Sequence, residues 1–171
     1  MARFPYVSAD NLPTSLMPRL PLTLILGGQS VDVVGLLDTG AAVSVLPYQV
    51  GLALGAVWEE QTTVVPLVGS LGQFEARALV VMASHPQITP NEAVRLVFAW
   101  TQLENAPVIF GQMNFFLEFD VCFYRSQSMF DVRLKDGDRL EEKIAGERAH
   151  SYAYQPETKT ATLMWQSSKL V

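Results

Sequence analysis

Leu36-Leu37-Asp38-Thr39-Gly40-Ala41 is the stretch on which the reading of this chain turns, and Val43-Ser44-Val45-Leu46-Pro47 follows it closely. Two apolar residues run into a carboxylate, a hydroxyl and a glycine. The apolar pair reads as the buried end of a β-strand, and the polar trio as the tight loop that closes it. Gly40 has no side chain, so another backbone can come close beside the acid. The stretch occurs once. Asp10, Asp32, Asp120, Asp131, Asp136 and Asp138 all fail the pattern of two apolar residues, Asp, Thr or Ser, and Gly; Asp136-Gly137 lacks the intervening hydroxyl.

Strand signals dominate on both sides of that loop. Leu20–Leu26 and Val31–Leu37 are β-rich runs separated by Gly27-Gly28, which reads as a hairpin leading straight into Asp38. Val43–Leu46 is a further short strand, stopped by Pro47. Residues Tyr48–Trp58 read as a short helix or a loose turn, with Gly51 and Gly55 weakening the helix. Gln61–Val68 and Phe74–Met82 read as a longer hairpin around Gly69-Ser70-Leu71-Gly72, whose two glycines suit a tip that visits positive φ. His85–Glu92 is a loop, Val94–Trp100 a strand, and Val108-Ile109-Phe110-Gly111 a buried strand ending in glycine. Gln112–Phe116 begins a short helix. Leu117–Tyr124 alternates Leu117, Phe119, Val121 and Phe123 against Glu118, Asp120, Cys122 and Tyr124, the pattern of a half-buried strand. Arg125–Ser128 turns the chain into Met129–Leu134. Beyond residue 135 the composition becomes charged, so a lobe over 1–135 and a C-terminal extension over 136–171, with a possible hairpin near its end, are expected.

Bulk composition narrows the function. The chain has 171 residues, 49% hydrophobic, enough for one domain with a real core. A net charge of −5 with no basic run speaks against nucleic acid as a partner. The lone Cys122 cannot form an internal disulfide, and no signal-peptide pattern or membrane-spanning run is present, so a soluble cytoplasmic protein is expected. His85 and His150 stand far apart without ligand-spaced companions, so no metal is expected, and the glycines form no phosphate cradle, so no cofactor is expected either. Cys122 has no evident base and reads as a structural thiol. Ser44 reads as a loop hydroxyl that bonds backbone. Trp58, Trp100 and Trp165 read as core or interface anchors, with a substrate subsite as the alternative for Trp100.

The Asp38 stretch with its following Ala-x-x-Ser-x-Leu-Pro resembles the active-site loop of aspartic proteases. Val68-Gly69-Ser70-Leu71-Gly72-Gln73-Phe74 looks like the glycine-rich flap of retroviral proteases, Ile-Gly-Gly-Ile-Gly-Gly-Phe in its usual form. Val108–Gly111 and the helix after it are similar to the apolar-Gly strand and helix that support the catalytic loop there. The order of hairpin, Asp loop, flap hairpin, apolar-Gly strand and helix, over about residues 18 to 134, is that of one retropepsin-like lobe. The resemblance implies an all-β closed-barrel lobe with one short helix, closer to cellular and bacterial members than to viral ones.

What the resemblance implies for function follows from the single acid. Aspartic protease chemistry needs two carboxylates sharing a proton, one charged to activate water and one protonated to hydrogen-bond the scissile carbonyl. A chain with one copy finds the second in a two-fold homodimer. Asp38 is then the catalytic acid, Thr39 bonds across the dimer axis, Gly40 lets backbone approach the substrate, and Ala41 lines the site. Gly69, Ser70, Leu71 and Gly72 form the flap tip over an extended peptide or protein substrate. Viral enzymes often carry acids just after the Ala and an arginine past the apolar-Gly; here Ala42, Val43 and Gln112 stand in those places. The alternatives are an inactive dimerisation or peptide-binding module with the same lobe, and a heterodimer with another single-lobe chain.

Overall fold

The computed structural model describes residues 1–8, 15–67, 72, 74–103 and 105–135. The expected flap-tip residues Gly69, Ser70 and Leu71, Trp165 and the whole expected extension 136–171 lie outside the described residues.

Eleven strands and two short helices are described: β1 (Ala2–Pro5), β2 (Val7–Ser8), β3 (Leu16–Met17), β4 (Arg19–Leu26), β5 (Gln29–Leu37), β6 (Val45–Pro47), α1 (Tyr48–Ala53), β7 (Ala76–Ser84), β8 (Val94–Thr101), β9 (Ile109–Phe110), α2 (Phe115–Glu118), β10 (Phe119–Tyr124) and β11 (Met129–Leu134). Six of the strands close a barrel in the order β4-β5-β9-β6-β8-β7. The β4–β5 hairpin turns on Gly27 and Gly28, whose φ values of +54° and +88° suit the two-residue loop between paired Leu26 and Gln29. Its inward side chains Leu20, Leu22, Leu24, Val33 and Leu37 are buried. The all-β closed barrel expected from the sequence is present; it carries two short helices, α1 as well as α2.

Glycine permits the closest contacts. A Cβ at Gly35 would enter the ring of Phe110, so this position on β5 lets β9 pack flat against it. A Cβ at Gly51 would enter the indole of Trp100. Gly51 therefore marks a packing site within α1, where sequence alone reads it as a weakness. Trp100 is fully buried, stacks on Tyr48 at 5.5 Å, meets Trp58 edge-on at 5.1 Å, and donates its Nε1–H to the Tyr48 carbonyl at 3.1 Å. It is a core anchor.

Two regions differ from expectation. Of the expected first arm of the long hairpin, Gln61–Val68, the described residues 61–67 do not form a strand. They touch β7 through one bridge, Val64 with Arg77, and two backbone bonds, Val65 N–H to Ala76 and Ala78 N–H to Thr63, both 2.8 Å. Pro66 follows with no N–H to extend the ladder. The N-terminal residues, in turn, form strands. β1 pairs antiparallel with β11 from Ala2↔Val132 to Pro5↔Met129, making a three-stranded sheet β1-β11-β10. Phe4 stacks on Phe130 at 5.4 Å, and Arg3 grips Asp131 with two hydrogen bonds of 2.6 and 2.9 Å. The sheet joins the barrel core through the stacked rings Phe110, Phe115 and Phe119, 4.8 and 4.7 Å apart.

Candidate active site

Asp38 sits where β5 ends, and the neighbouring strand β9 holds it there. β9 lies between β5 and β6, parallel to the first and antiparallel to the second. Leu36 N–H donates to Val108 at 2.9 Å and Asp38 N–H to Phe110 at 3.0 Å, so the backbone of the acid is tied to a buried strand. The loop then folds on itself. Ala41 N–H donates to the Asp38 carbonyl at 3.2 Å, and Gly40 N–H donates to Asp38 Oδ1 at 2.9 Å. A backbone donor thus fixes the carboxylate's orientation. Asp38 is half-buried, whereas Thr39 and Gly40 are exposed, so the loop lies on an open surface of this lobe.

A second stretch of chain crosses beneath the loop. Gln112 N–H donates to the Ala41 carbonyl at 2.8 Å, Met113 N–H to Ala42 at 2.9 Å, and Gln112 Nε2 to the Thr39 carbonyl at 2.8 Å. The crossing requires Gly111, because a Cβ there would stand 2.8 Å from the Ala41 carbonyl oxygen and nearer still to the carbonyl of Val43. Gln112 thus fastens the loop through neutral hydrogen bonds. Ala42 is exposed and Val43 half-buried, so no acid beside the loop calls for an arginine at position 112.

Ser44 supplies what the crossing lacks. It is 2% exposed, and its Oγ accepts the Gly111 N–H at 3.0 Å while donating to the Met113 carbonyl at 3.4 Å. The hydroxyl thereby satisfies a buried backbone donor at the crossing. The sequence marks Ser44 only as a loop hydroxyl; its partner, in a distant segment, becomes evident with the fold.

Of the expected site residues, Asp38, Thr39, Gly40 and Ala41 are brought together with Gln112 and Ser44. Gly72 is an exposed turn residue. Among the described residues no group of three His, Cys, Asp or Glu side chains is placed to hold a metal ion. No helix there is long and apolar enough to cross a membrane. An open groove of about 300 Å³ lies between Pro21–Thr23, Asp32–Val34 and His85-Pro86, and takes in no part of the Asp38 loop. Burial against this surface lowers the pKa of His85, favouring the neutral ring.

No family model matches the sequence, and no curated protein matches it either. Solved structures do. A retropepsin-like aspartic protease from Rickettsia conorii superposes with a TM-score of 0.54 over 77% of this chain and 91% of its own, at 10% identity. EIAV protease in complex with an inhibitor aligns over 59% of this chain and 86% of its own, at 20% identity and a TM-score of 0.39. At 10% identity the likeness to the Rickettsia protein is one of fold. The closed barrel, with its acid-bearing loop crossed by an apolar-Gly strand, is a lobe of the retropepsin-like fold.

Proposed function

We propose that this chain is an aspartic endopeptidase, active as a homodimer in which two copies of Asp38 share one water and one proton. The lobe is residues 1–135, with 136–171 as an extension. The observation that carries the reading is the placement of Asp38: a carboxylate at a strand end, oriented by the Gly40 N–H and tied by its own backbone to a buried strand. Such a preorganised acid on an open surface is half of a dyad. With a second copy opposite, one carboxylate takes a proton from water and the other, protonated, hydrogen-bonds the scissile carbonyl. Thr39, exposed at the tip of the loop, is available to bond across the axis. In this reading Gly69, Ser70, Leu71 and Gly72 cover an extended peptide, which binds as an added strand. A reducing, cytoplasmic setting suits the lone Cys122.

The test is incubation of the full chain with a peptide library from about pH 4 to 7, beside Asp38→Ala. Cleavage by the parent alone is expected, strongest on the acid side because the pair must hold one proton. Equal cleavage by the variant, or none by either, overturns the proposal. In the second case the inactive peptide-binding module becomes the better account.

A further inference from the structure

The groove between the β4–β5 hairpin and the His85-Pro86 turn lies on the outer face of the barrel, apart from the Asp38 loop. Its floor follows from strand register. Leu20, Leu22 and Leu24 are buried, so Pro21 and Thr23, which alternate with them, face outward. Thr23 pairs with Asp32 of β5 on one side and with Ser84 of β7 on the other, and Pro21 pairs with Val34. Two outward rows result, a polar one of Asp32 and Thr23 and an apolar one of Pro21 and Val34. Val34 is 54% exposed. The wall is the turn that follows β7. His85 N–H donates to Thr89 Oγ1 at 2.8 Å, and the Ile88 and Thr89 N–H groups donate back to the His85 carbonyl at 3.1 and 2.9 Å. Ile88 and Thr89 are buried, and the Phe4 ring meets the imidazole edge-on at 5.2 Å. The wall is therefore set before any ligand arrives, which lowers the cost of binding.

The two titratable side chains of the groove, Asp32 and His85, offer different bonds. Thr23 Oγ1 donates to Asp32 Oδ1 at 2.7 Å, and Oδ2 has no partner among the described residues. His85 Nδ1 accepts the Gln87 N–H at 3.2 Å, so the proton of the neutral ring stands on Nε2, a donor with no acceptor among the described residues. Burial favours that neutral ring. The groove thus presents an open carboxylate oxygen, a free donor and an apolar strip. We propose that it is a second peptide-binding site, separate from the Asp38 loop, which takes a lysine side chain and the apolar residue beside it. The ammonium bonds Asp32 Oδ2. One open oxygen suits an ammonium better than the two-pronged guanidinium of arginine. The lysine stem and the neighbouring apolar side chain cover Pro21, Val34 and Pro86. A backbone carbonyl of the peptide takes the His85 Nε2–H. A volume of about 300 Å³ is at the small end for ligand clefts and fits a short segment. Recognition here needs no chemistry at Asp38, so a protein held by this groove leaves the acid loop free.

The test is titration of the full chain carrying Asp38→Ala, which the proposed mechanism leaves unable to cut, with the capped peptide acetyl-Ala-Lys-Leu-Ala-amide. Calorimetry should give saturable binding, and amide shifts should move at Thr23, Asp32, Val34 and His85 while Thr39 and Gly40 stay in place. Adding Asp32→Asn, or replacing the peptide's lysine by norleucine, should weaken binding at least about tenfold. Val34→Lys, an exposed change that sets the protein's own ammonium beside Asp32, should do the same. Glu92→Gln, which removes an exposed acid outside the groove, should leave the affinity unchanged. No saturation below about 1 mM peptide, equal affinity for the norleucine peptide, or equal loss with Glu92→Gln overturns the proposal. So does a peptide that shifts only the Asp38 loop, a result that would leave the protease reading standing. Lysine-dependent binding in the groove by a chain whose parent cuts no peptide would overturn the protease reading and support this one.

Discussion

Replacing Ser44 by alanine removes one oxygen from beneath the acid loop and nothing from its surface. In the parent that oxygen accepts the Gly111 N–H at 3.0 Å inside the barrel. Alanine leaves the donor buried and without that partner. An unsatisfied buried N–H costs about 1–3 kcal/mol. The second bond, to the Met113 carbonyl at 3.4 Å, is long and adds little. The volume lost is too small for a replacement water. A domain of this size shifts its melting temperature by about 3–5 °C per kcal/mol, so a fall of roughly 5–10 °C is expected. The urea midpoint should fall with an unchanged slope, since the surface exposed on unfolding is the same. Ser30→Ala, at an exposed position of β5, is the control and should stay within about 0.5 kcal/mol of the parent. If Ser44→Ala melts with the control, the Gly111 N–H has another partner, and the account of how the crossing is held is wrong.

Two further outcomes follow from the packing and charge of the lobe. Gly51→Ala should gain up to about 1 kcal/mol of helix propensity yet lower stability overall, because overpacking against the fixed indole of Trp100 costs about 1–3 kcal/mol or more; a raised urea midpoint would contradict the packing shown. Arg3 holds the Asp131 carboxyl below the usual carboxylate range by its hydrogen bonds, against the opposing effect of burial. The folded pKa is the lower one, so the stability this carboxylate contributes is present above about pH 4 and is lost as pH falls through the folded value. The gap in urea midpoint between the parent and Asp131→Asn should therefore be full near about pH 6 and shrink below about pH 4; a gap that is constant or widens in acid would refute the pairing.

Much of the barrel was legible because its signals are local. Gly27-Gly28 between two β-rich runs names a hairpin, and the alternation of buried leucines along β4 names the face that packs inward. Leu36-Leu37 before Asp38 names a strand end. Other elements carry no such local mark. β1 is four residues ending in proline, and its strand state comes from β11, at the far end of the lobe. Residues 61–67 have strand-like composition, but Pro66 and sparse pairing leave them irregular. Leu117 fits the apolar alternation yet lies in α2 and is exposed, because nothing among the described residues covers that side.

The sequence alone determined the acid loop, its single copy and the run of strands that lead to it, since each depends on neighbouring residues and on backbone preference. Only the tertiary structure decided how that loop is held: Gly111 passing under Val43, Ser44 capping the Gly111 N–H, Gln112 bonding Thr39. Those contacts join segments far apart in the chain, and closing the barrel is what brings them within hydrogen-bond reach.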